Sequence, residues 1–484
     1  MVVAWLFGAS ESNQIQAIHP VPRLSEVKCV VPPVVAAGAE SMQQHQCLTL
    51  ARAVHAPVAL HALPLPSCAL PPVGLAHHPL PGSLESGCIH GHLSHDTSHY
   101  REGAAQLELG DGFFRPESRP SRDLSVLMAA WQLRQRGESP CRWLDLMAGC
   151  GIRSVRWGLE ALPAIRTSSA VTLTVNDADA ARQLLLQRNL APLRSARLTL
   201  ACHQEPAEVL LRRAYLDQHH FDLIDLDAFG CPNGLLQASL QALAFDGVLL
   251  LASTDGRSPT GHDRVAAVRK FAAAARTHPA SWEVALRLQL AVLAREAWML
   301  GRGLEPLACF SDGRTFRLAV RMRRRLADGE EQQLGLLARC ARCGAQAVQP
   351  LLRLQGWPSC ACEGTQGRWA ATGPLWLGPL QSPVVISELL ELADALEHTL
   401  AKPGRRLLQR LQADPGLPVC CWSTAELARR LQLQGPPSLQ DLVGVLQASG
   451  YQACASGVMA GQLRTDAPLD SLLQVCRHLG RKDR

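Results

Sequence analysis

The sequence predicts an α/β fold, a mostly parallel sheet with helices on both faces, followed by a smaller α+β region. Three observations predict it. Strand-like and helix-like segments alternate from residue 142 to about 252, which is how a parallel sheet with crossover helices is written in sequence. The 484 residues are 47% apolar and 19% charged, the composition of a soluble chain of about two or three domains. Past residue 327 the alternation gives way to paired cysteines and then to helices mixed with short strands. No uncharged apolar run long enough for a membrane escapes interruption by Pro or His, and residues 1–10 lack the basic start of a secretory signal. Seventeen cysteines with a Cys-x-x-Cys pair suit a reducing compartment and a metal site, so a cytoplasmic protein is expected.

Three regions follow. Residues 1–98 carry 11 of the 32 prolines and nine of the 17 histidines without helical or strand periodicity, and read as a disordered extension. A His-rich metal tract is the other reading, although the histidines follow no ligand spacing. Residues 99–326 form the expected α/β domain and hold 30 basic and 23 acidic groups. Residues 327–484, with 15 and 14, form the C-terminal domain. The densest basic run is Arg314, Arg317, Arg321, Arg323, Arg324 and Arg325, either a solvated face or a grip on phosphates.

Within the α/β region, Arg142 to Met147 reads as a first strand entering a Gly turn. Ala170–Asn176, Arg197–Ala201, Phe221–Leu226 and Gly247–Ala252 read as four more. Helical patterns cover Asp179–Asn189 and Leu235–Ala244. Farther on, Glu388–Leu400, Ser423–Gln432 and Ser438–Ala448 read as helices, and Tyr451–Ala455 and Gln462–Arg464 as short strands. Ligands of such sheets bind beyond the carboxyl ends of the strands.

The first strand ends in Asp145-Leu-Met-Ala-Gly149-Cys-Gly151-Ile-Arg153. This lacks the third glycine of the dinucleotide fingerprint, since Ser154 stands there. It suits a ligand without a pyrophosphate whose parts pass close to bare backbone. The second strand ends in Asn176-Asp177, where a carboxylate can accept both ribose hydroxyls. Asp145, Gly149, Gly151 and Asp177 together describe an S-adenosylmethionine site. The fourth strand closes with Asp225-Leu-Asp227-Ala-Phe229-Gly-Cys-Pro232. Methylating an exocyclic amine of a base needs a carboxylate to accept its protons, and an aromatic ring to stack the flipped base. Asp227 and Phe229 fit those tasks; equally, Asp227 caps the next helix and Phe229 is core.

Cys340-Ala-Arg-Cys343 and Cys360-Ala-Cys362 are two thiol pairs separated by 16 residues. Four thiolates on two tight turns hold a structural zinc ion tetrahedrally; reduced free thiols are the alternative. Glu363 is a substitute for Cys362 as fourth ligand.

The ordered set of motifs resembles the tRNA (guanine-N2-)-dimethyltransferases that modify guanine 26, over Arg101 to about His478. The segments are Arg101-Glu-Gly, Asp111-Gly-Phe113-Phe114-Arg-Pro116 through Arg122-Asp123-Leu-Ser-Val, the two motif runs above, Thr254-Asp255, Gly373–Pro379, and Gly450-Tyr451 with Leu463–Pro468. The resemblance implies a Rossmann-like S-adenosylmethionine methyltransferase domain followed by a tRNA-binding domain. It implies that Arg122 and Arg153 contact the methyl donor with Asp177, and that Ala207 lies beside the adenine. Asp227 would be catalytic, with Phe113 and Phe229 sandwiching the guanine. The chain departs from the family at Ala228 (Pro there), at Glu205-Pro206-Ala207 (Asp-Ala), at Gly457 (His), at Arg115 and Ser121 (both Asn), and in the Cys-x-Cys pair (Cys-x-x-Cys). Two rivals to tRNA methylation are an amine methyltransferase for another RNA and a tRNA-binding protein that has lost catalysis. No membrane association is expected.

Overall fold

The central sheet of the molecule has seven strands. They are β1 (Cys141–Asp145), β2 (Val171–Asn176), β3 (Leu198–His203), β4 (Phe221–Asp227), β5 (Leu243–Ser253), β6 (Gly303–Ser311) and β7 (Phe316–Arg323). The computed structural model describes residues 99–482 except 314, 361 and 363–367; the stretch 1–98, Arg314 and Glu363 lie outside the described residues. Strand order across the sheet is β3-β2-β1-β4-β5-β7-β6. β1 to β5 are parallel, and β7 runs antiparallel to both of its neighbours. The five expected strands stand within a few residues of their predicted bounds.

Period-2 alternation sorts the strand side chains into two cores, one on each face. Trp143, Leu173, Leu223, Leu250 and Ala319 enter the first core, and Leu144, Ile224, Leu251 and Leu318 enter the second. Helix Arg119–Arg136 covers the first face, joined by helices Pro383–Ala395 and Lys402–Gln412, which lie beyond the boundary drawn at 326/327. Helices Ala207–Leu216, Leu236–Ala242 and the long Ser281–Met299 cover the second.

Some expected helices shift. Gln183–Leu190 begins after a 3-10 turn at Ala180–Arg182, where Asp179 caps Ala181. The helix expected at Glu388 starts at Pro383 because proline suits the first helical turn, and it ends at Ala395.

A second, antiparallel sheet comprises Leu334–Cys340, Gln346–Pro350 and Trp369–Trp376. A third comprises Cys421–Ser423, Ala453–Ala455 and Gln462–Thr465, and packs its own small core of Trp422, Leu442, Leu446, Leu463 and Leu472. A buried ion-pair network ties this module to the long helix: Arg464 meets Glu283 at 2.8 Å and Asp414 at 2.8 Å. Among the described residues no helix is long and apolar enough to cross a membrane.

Candidate active site

The carboxyl ends of β1, β2 and β4 open into a cleft of about 400 Å³. Its floor is the loop after β1. Leu146 N donates to Asp225 O (3.1 Å) and Ala148 N to Asn176 O (2.9 Å), so the loop hangs between its two neighbouring strands. Gly149 and Gly151 both take positive φ, +60° and +80°, which side chains disfavour. A Cβ at Gly149 would project into open space, where it would fill the cleft; one at Gly151 would press on Leu186 at 3.0 Å. Gly149 therefore leaves backbone bare to a ligand, while Gly151 starts the helix Ile152–Arg156.

Asp177 stands beside this loop. One oxygen accepts from Gly149 N at 2.8 Å and the other from Asp179 N at 2.9 Å. Each oxygen retains a lone pair for a ribose hydroxyl, so the residue both braces the loop and faces the cleft. Ala207, at the start of the helix after β3, lines the cleft as well. Asp145 does not line it. Strand geometry turns its side chain beneath the loop, where it accepts from Ser154 Oγ at 2.7 Å. Burial, and then the Asp225 carboxylate, push it up to about 7.

Arg122 lines the cleft with its donors nearly consumed. Nε and Nη2 bind Glu102, Nη1 binds Arg115 O (3.0 Å), and Nη2 also reaches Pro116 O (3.3 Å). Of five N–H groups, one remains for a ligand. Arg153 is engaged with the acids of β4 rather than left free for a donor molecule: Nε lies 3.2 Å from Asp225 and Nη2 2.5 Å from Asp227.

Asp227 ends β4 at the cleft wall. Its second oxygen lies 3.4 Å from Nη1 of Arg317 on β7. Burial alone would raise this carboxyl, but Arg153 and Arg317 outweigh it and hold it well below the usual carboxylate range. Arg317 is the principal site residue that sequence reasoning missed. Asp227 pairs with Ala252 on β5, and Ala252 pairs with Arg317 on β7. The three occupy one transverse row, and the small Ala252 leaves the arginine free to reach over it. No local signal announces this row; the basic run hid it. Arg321 and Arg323 of the same run both bind Glu305, at 2.6 Å each, and Arg324 lies over the Phe245 ring. The described part of that run is thus largely committed within the protein.

Phe113 and Phe229, 72% and 77% exposed, stand at the cleft mouth. The core reading of Phe229 is excluded, and so is a cap role for Asp227, since the turn at Pro232–Leu235 is led in by Cys231. The rings are not the parallel pair that a sandwich needs. Their centroids lie 5.6 Å apart at 72°, edge to face, whereas a base between them requires near-parallel rings about 7 Å apart, twice a van der Waals contact. As they stand the two rings close on each other. The loop bearing Phe229 is anchored despite Ala228: Gly230 N donates to Thr254 Oγ1 (2.6 Å), and Gly230 O accepts from the backbone N–H groups of Thr254 (2.9 Å) and Asp255 (3.2 Å).

Away from the cleft, the four expected cysteines converge, with all their sulfurs within 4.8 Å of one another. Cys360 and Cys362 place Sγ 3.6 and 3.7 Å from that of Cys340. Tetrahedral zinc with bonds of about 2.3 Å spaces its thiolates by about 3.8 Å, so the donor set fits a zinc ion. Gly344, at φ +71°, closes the first turn, and Cys343 N points at Cys340 Sγ (3.5 Å).

Sheet order, bare glycine loop, the acid after β2 and the carboxylate ending β4 define a Rossmann-like methyltransferase fold. A family model described as N2,N2-dimethylguanosine tRNA methyltransferase matches residues 104–477. The chain belongs to that family. A tRNA (guanine(26)-N(2))-dimethyltransferase of Methanosphaerula palustris is 28% identical over 362 residues, 74% of this chain and 90% of that one. The enzyme of the same name from Methanocorpusculum labreanum is 25% identical over 379 residues, 77% and 90% of the two chains. The structure of Trm1 from Pyrococcus horikoshii with S-adenosyl-L-methionine matches with a TM-score of 0.65 at 23% identity, covering 78% of this chain and 99% of that one, a likeness of fold.

Proposed function

We propose that this chain methylates N2 of a guanine in tRNA, at position 26, using S-adenosylmethionine. Family membership supports the reaction, and one observation carries the assignment to this cleft: an ionised carboxylate, Asp227, beside two exposed aromatic rings at the mouth. The guanine amine is conjugated with its ring and nucleophilically weak. What it needs is an acceptor that holds its protons in a fixed direction, and two arginines fix Asp227 in that state.

S-adenosylmethionine, when bound, supplies an electrophilic methyl carbon. Asp177 would accept its ribose hydroxyls, Gly149 would let it approach the backbone, Ala207 would flank its adenine, and the last N–H of Arg122 would face its carboxylate. Phe113 and Phe229 would part to stack the guanine. Asp227 would accept a hydrogen bond from N2–H. As the N–C bond forms, the methyl–sulfur bond would break with its electron pair returning to sulfur as a neutral thioether. The proton lost from N2 would pass to water, because a carboxyl held so low cannot keep it. Zinc on Cys340, Cys343, Cys360 and Cys362 would serve structure, tying the connection before strand Trp369–Trp376 to the turn after strand Leu334–Cys340 of the same sheet. The reduced thiols such a site needs favour the cytoplasm.

The test is incubation of purified protein with unmodified tRNA transcript and labelled S-adenosylmethionine, followed by nucleoside analysis. N2-methyl- and N2,N2-dimethylguanosine at one position are expected. Binding of tRNA without methyl transfer would refute the reading.

A further inference from the structure

We propose that Arg317 sets the base specificity of the cleft by donating a hydrogen bond to the O6 carbonyl of the guanine that Asp227 holds; this rests on the methylation reading above. Strand order puts the base on the Arg317 side. Gly149 and Asp177, which would hold the methyl donor, follow β1 and β2, and Asp227 ends β4. Farther across the sheet the cleft is lined by Thr254, after β5, and by Thr315 and Arg317, where β7 begins. With the donor over β1 and β2, transfer in line at Asp227 leaves the ends of β5 and β7 for the base.

The Asp227 carboxylate lies along that line. Its Oδ2 faces Arg153, from the helix that follows the donor loop, at 2.5 Å. Its Oδ1 faces Nη1 of Arg317 at 3.4 Å. From the donor side toward β7 the wall therefore offers an acceptor, an acceptor and a donor. The Watson–Crick edge of guanine presents the complement in the same order, N2–H, N1–H and O6, with the amine to be methylated at the donor end. Enzymes that flip a base read it along this edge, and arginine is the usual partner of guanine O6. Adenine has no amine at C2 and sets an amine, not a carbonyl, opposite Arg317.

Arg317 has hydrogen-bonding capacity to give where its neighbour has little. Arg153 is held by Asp225 at 3.2 Å as well as by Asp227. Among the described residues Arg317 makes its one ion pair with Asp227, and its Nε is buried without a hydrogen-bond partner. Nη1 stands at the carboxylate of the cleft wall, so the far end of the guanidinium, not Nε, meets the base. An under-satisfied guanidinium is costly to bury, and that cost asks for a reason outside the packing. The side chain is only 12% exposed, so water replaces a missing partner poorly. A base without O6 would leave Arg317 facing no acceptor, the condition under which polar sites reject analogues most strongly.

The experiment uses the full chain and two tRNA substrates, with guanine or 2-aminopurine at position 26. 2-Aminopurine keeps the amine at C2 and lacks O6 and the N1 proton. Methyl transfer kcat/KM is measured on both for the parent, Arg317→Met and Arg317→Lys, with melting temperatures alongside. The parent should prefer guanine by about 100-fold or more. Arg317→Met should shrink that preference by about 10- to 100-fold, because the analogue has no O6 contact to lose. Arg317→Lys keeps a charge and a donor beside Asp227 and should recover part of the preference. If Arg317 only orients Asp227, both substrates slow by the same factor and the preference is unchanged, which overturns the proposal. A parent that methylates 2-aminopurine as fast as guanine overturns it too, and that result needs no variant to fold. A parent that transfers no methyl to either substrate overturns the methylation reading and this inference with it.

Discussion

Asp227→Asn removes one charge at nearly constant volume from between two arginines. The distances are 2.5 Å to Arg153 and 3.4 Å to Arg317. At an effective dielectric constant of about 20, these correspond to attractions of roughly 7 and 5 kcal/mol, which are ceilings. Arg153 keeps Asp225 at 3.2 Å, and the Asp227 side chain is 25% exposed, so water compensates part of the loss. A stability decrease on the order of 1–3 kcal/mol remains, below the cost of breaking a fully buried pair. The catalytic effect should be larger. An amide cannot accept on both atoms and turns a donor toward one guanidinium, so methyl transfer should slow by about 10²–10⁴-fold, or roughly 3–5.5 kcal/mol of barrier. The assay is single-turnover transfer from labelled S-adenosylmethionine to unmodified tRNA, with melting temperature and donor affinity measured alongside. A folded variant that binds the donor and transfers within about threefold of the parent rate would refute the acceptor role.

Phe113→Leu and Phe229→Leu should each cost about 1–3 kcal/mol in single-turnover transfer, the worth of one base stacked on one ring; a parental rate in both would mean the closed rings never open around a base. The Asp145 carboxyl is raised by burial to about 7, so its protonated form stabilises the fold, and that contribution is lost as pH climbs from about 4 through 7. Asp145→Asn should accordingly melt above the parent at pH 8 and close to it at pH 5, and a difference independent of pH would contradict this. Chelation should lower the melting temperature and release one zinc per chain by metal analysis, and Cys360→Ser should reproduce the loss; zinc-free protein of unchanged stability would leave the four thiols without a structural task.

The sequence by itself determined the elements and the parts of the site that are local. An apolar run specifies β5, because a strand buried on both faces reads as nearly continuous apolar residues, and alternation specifies β2 and β3. The Gly149-Cys150-Gly151 loop, Asp177 one strand later and Asp227 at the end of β4 were legible because each sits where a strand stops, and the site of a parallel sheet lies at those ends. Cysteine spacing likewise named the four thiols, since a tight turn brings a short-range pair together whatever the rest of the chain does. Tertiary structure decided everything that depends on register and packing. Arg317 reaches Asp227 only because β7 pairs antiparallel with β5 in the register that sets Ala252 between them. Arg122 and Arg153 look free in sequence, yet Glu102 with the Arg115 and Pro116 carbonyls takes most of the donors of Arg122, and Asp225 and Asp227 engage Nε and Nη2 of Arg153, because a buried guanidinium must satisfy its N–H groups with whatever the fold brings near. Helices Pro383–Ala395 and Lys402–Gln412 carry no mark of belonging to the first sheet; its exposed apolar face draws them there, some 240 residues after β1. Chain order states which groups exist and which way they alternate, and pairing across the sheet states which of them touch.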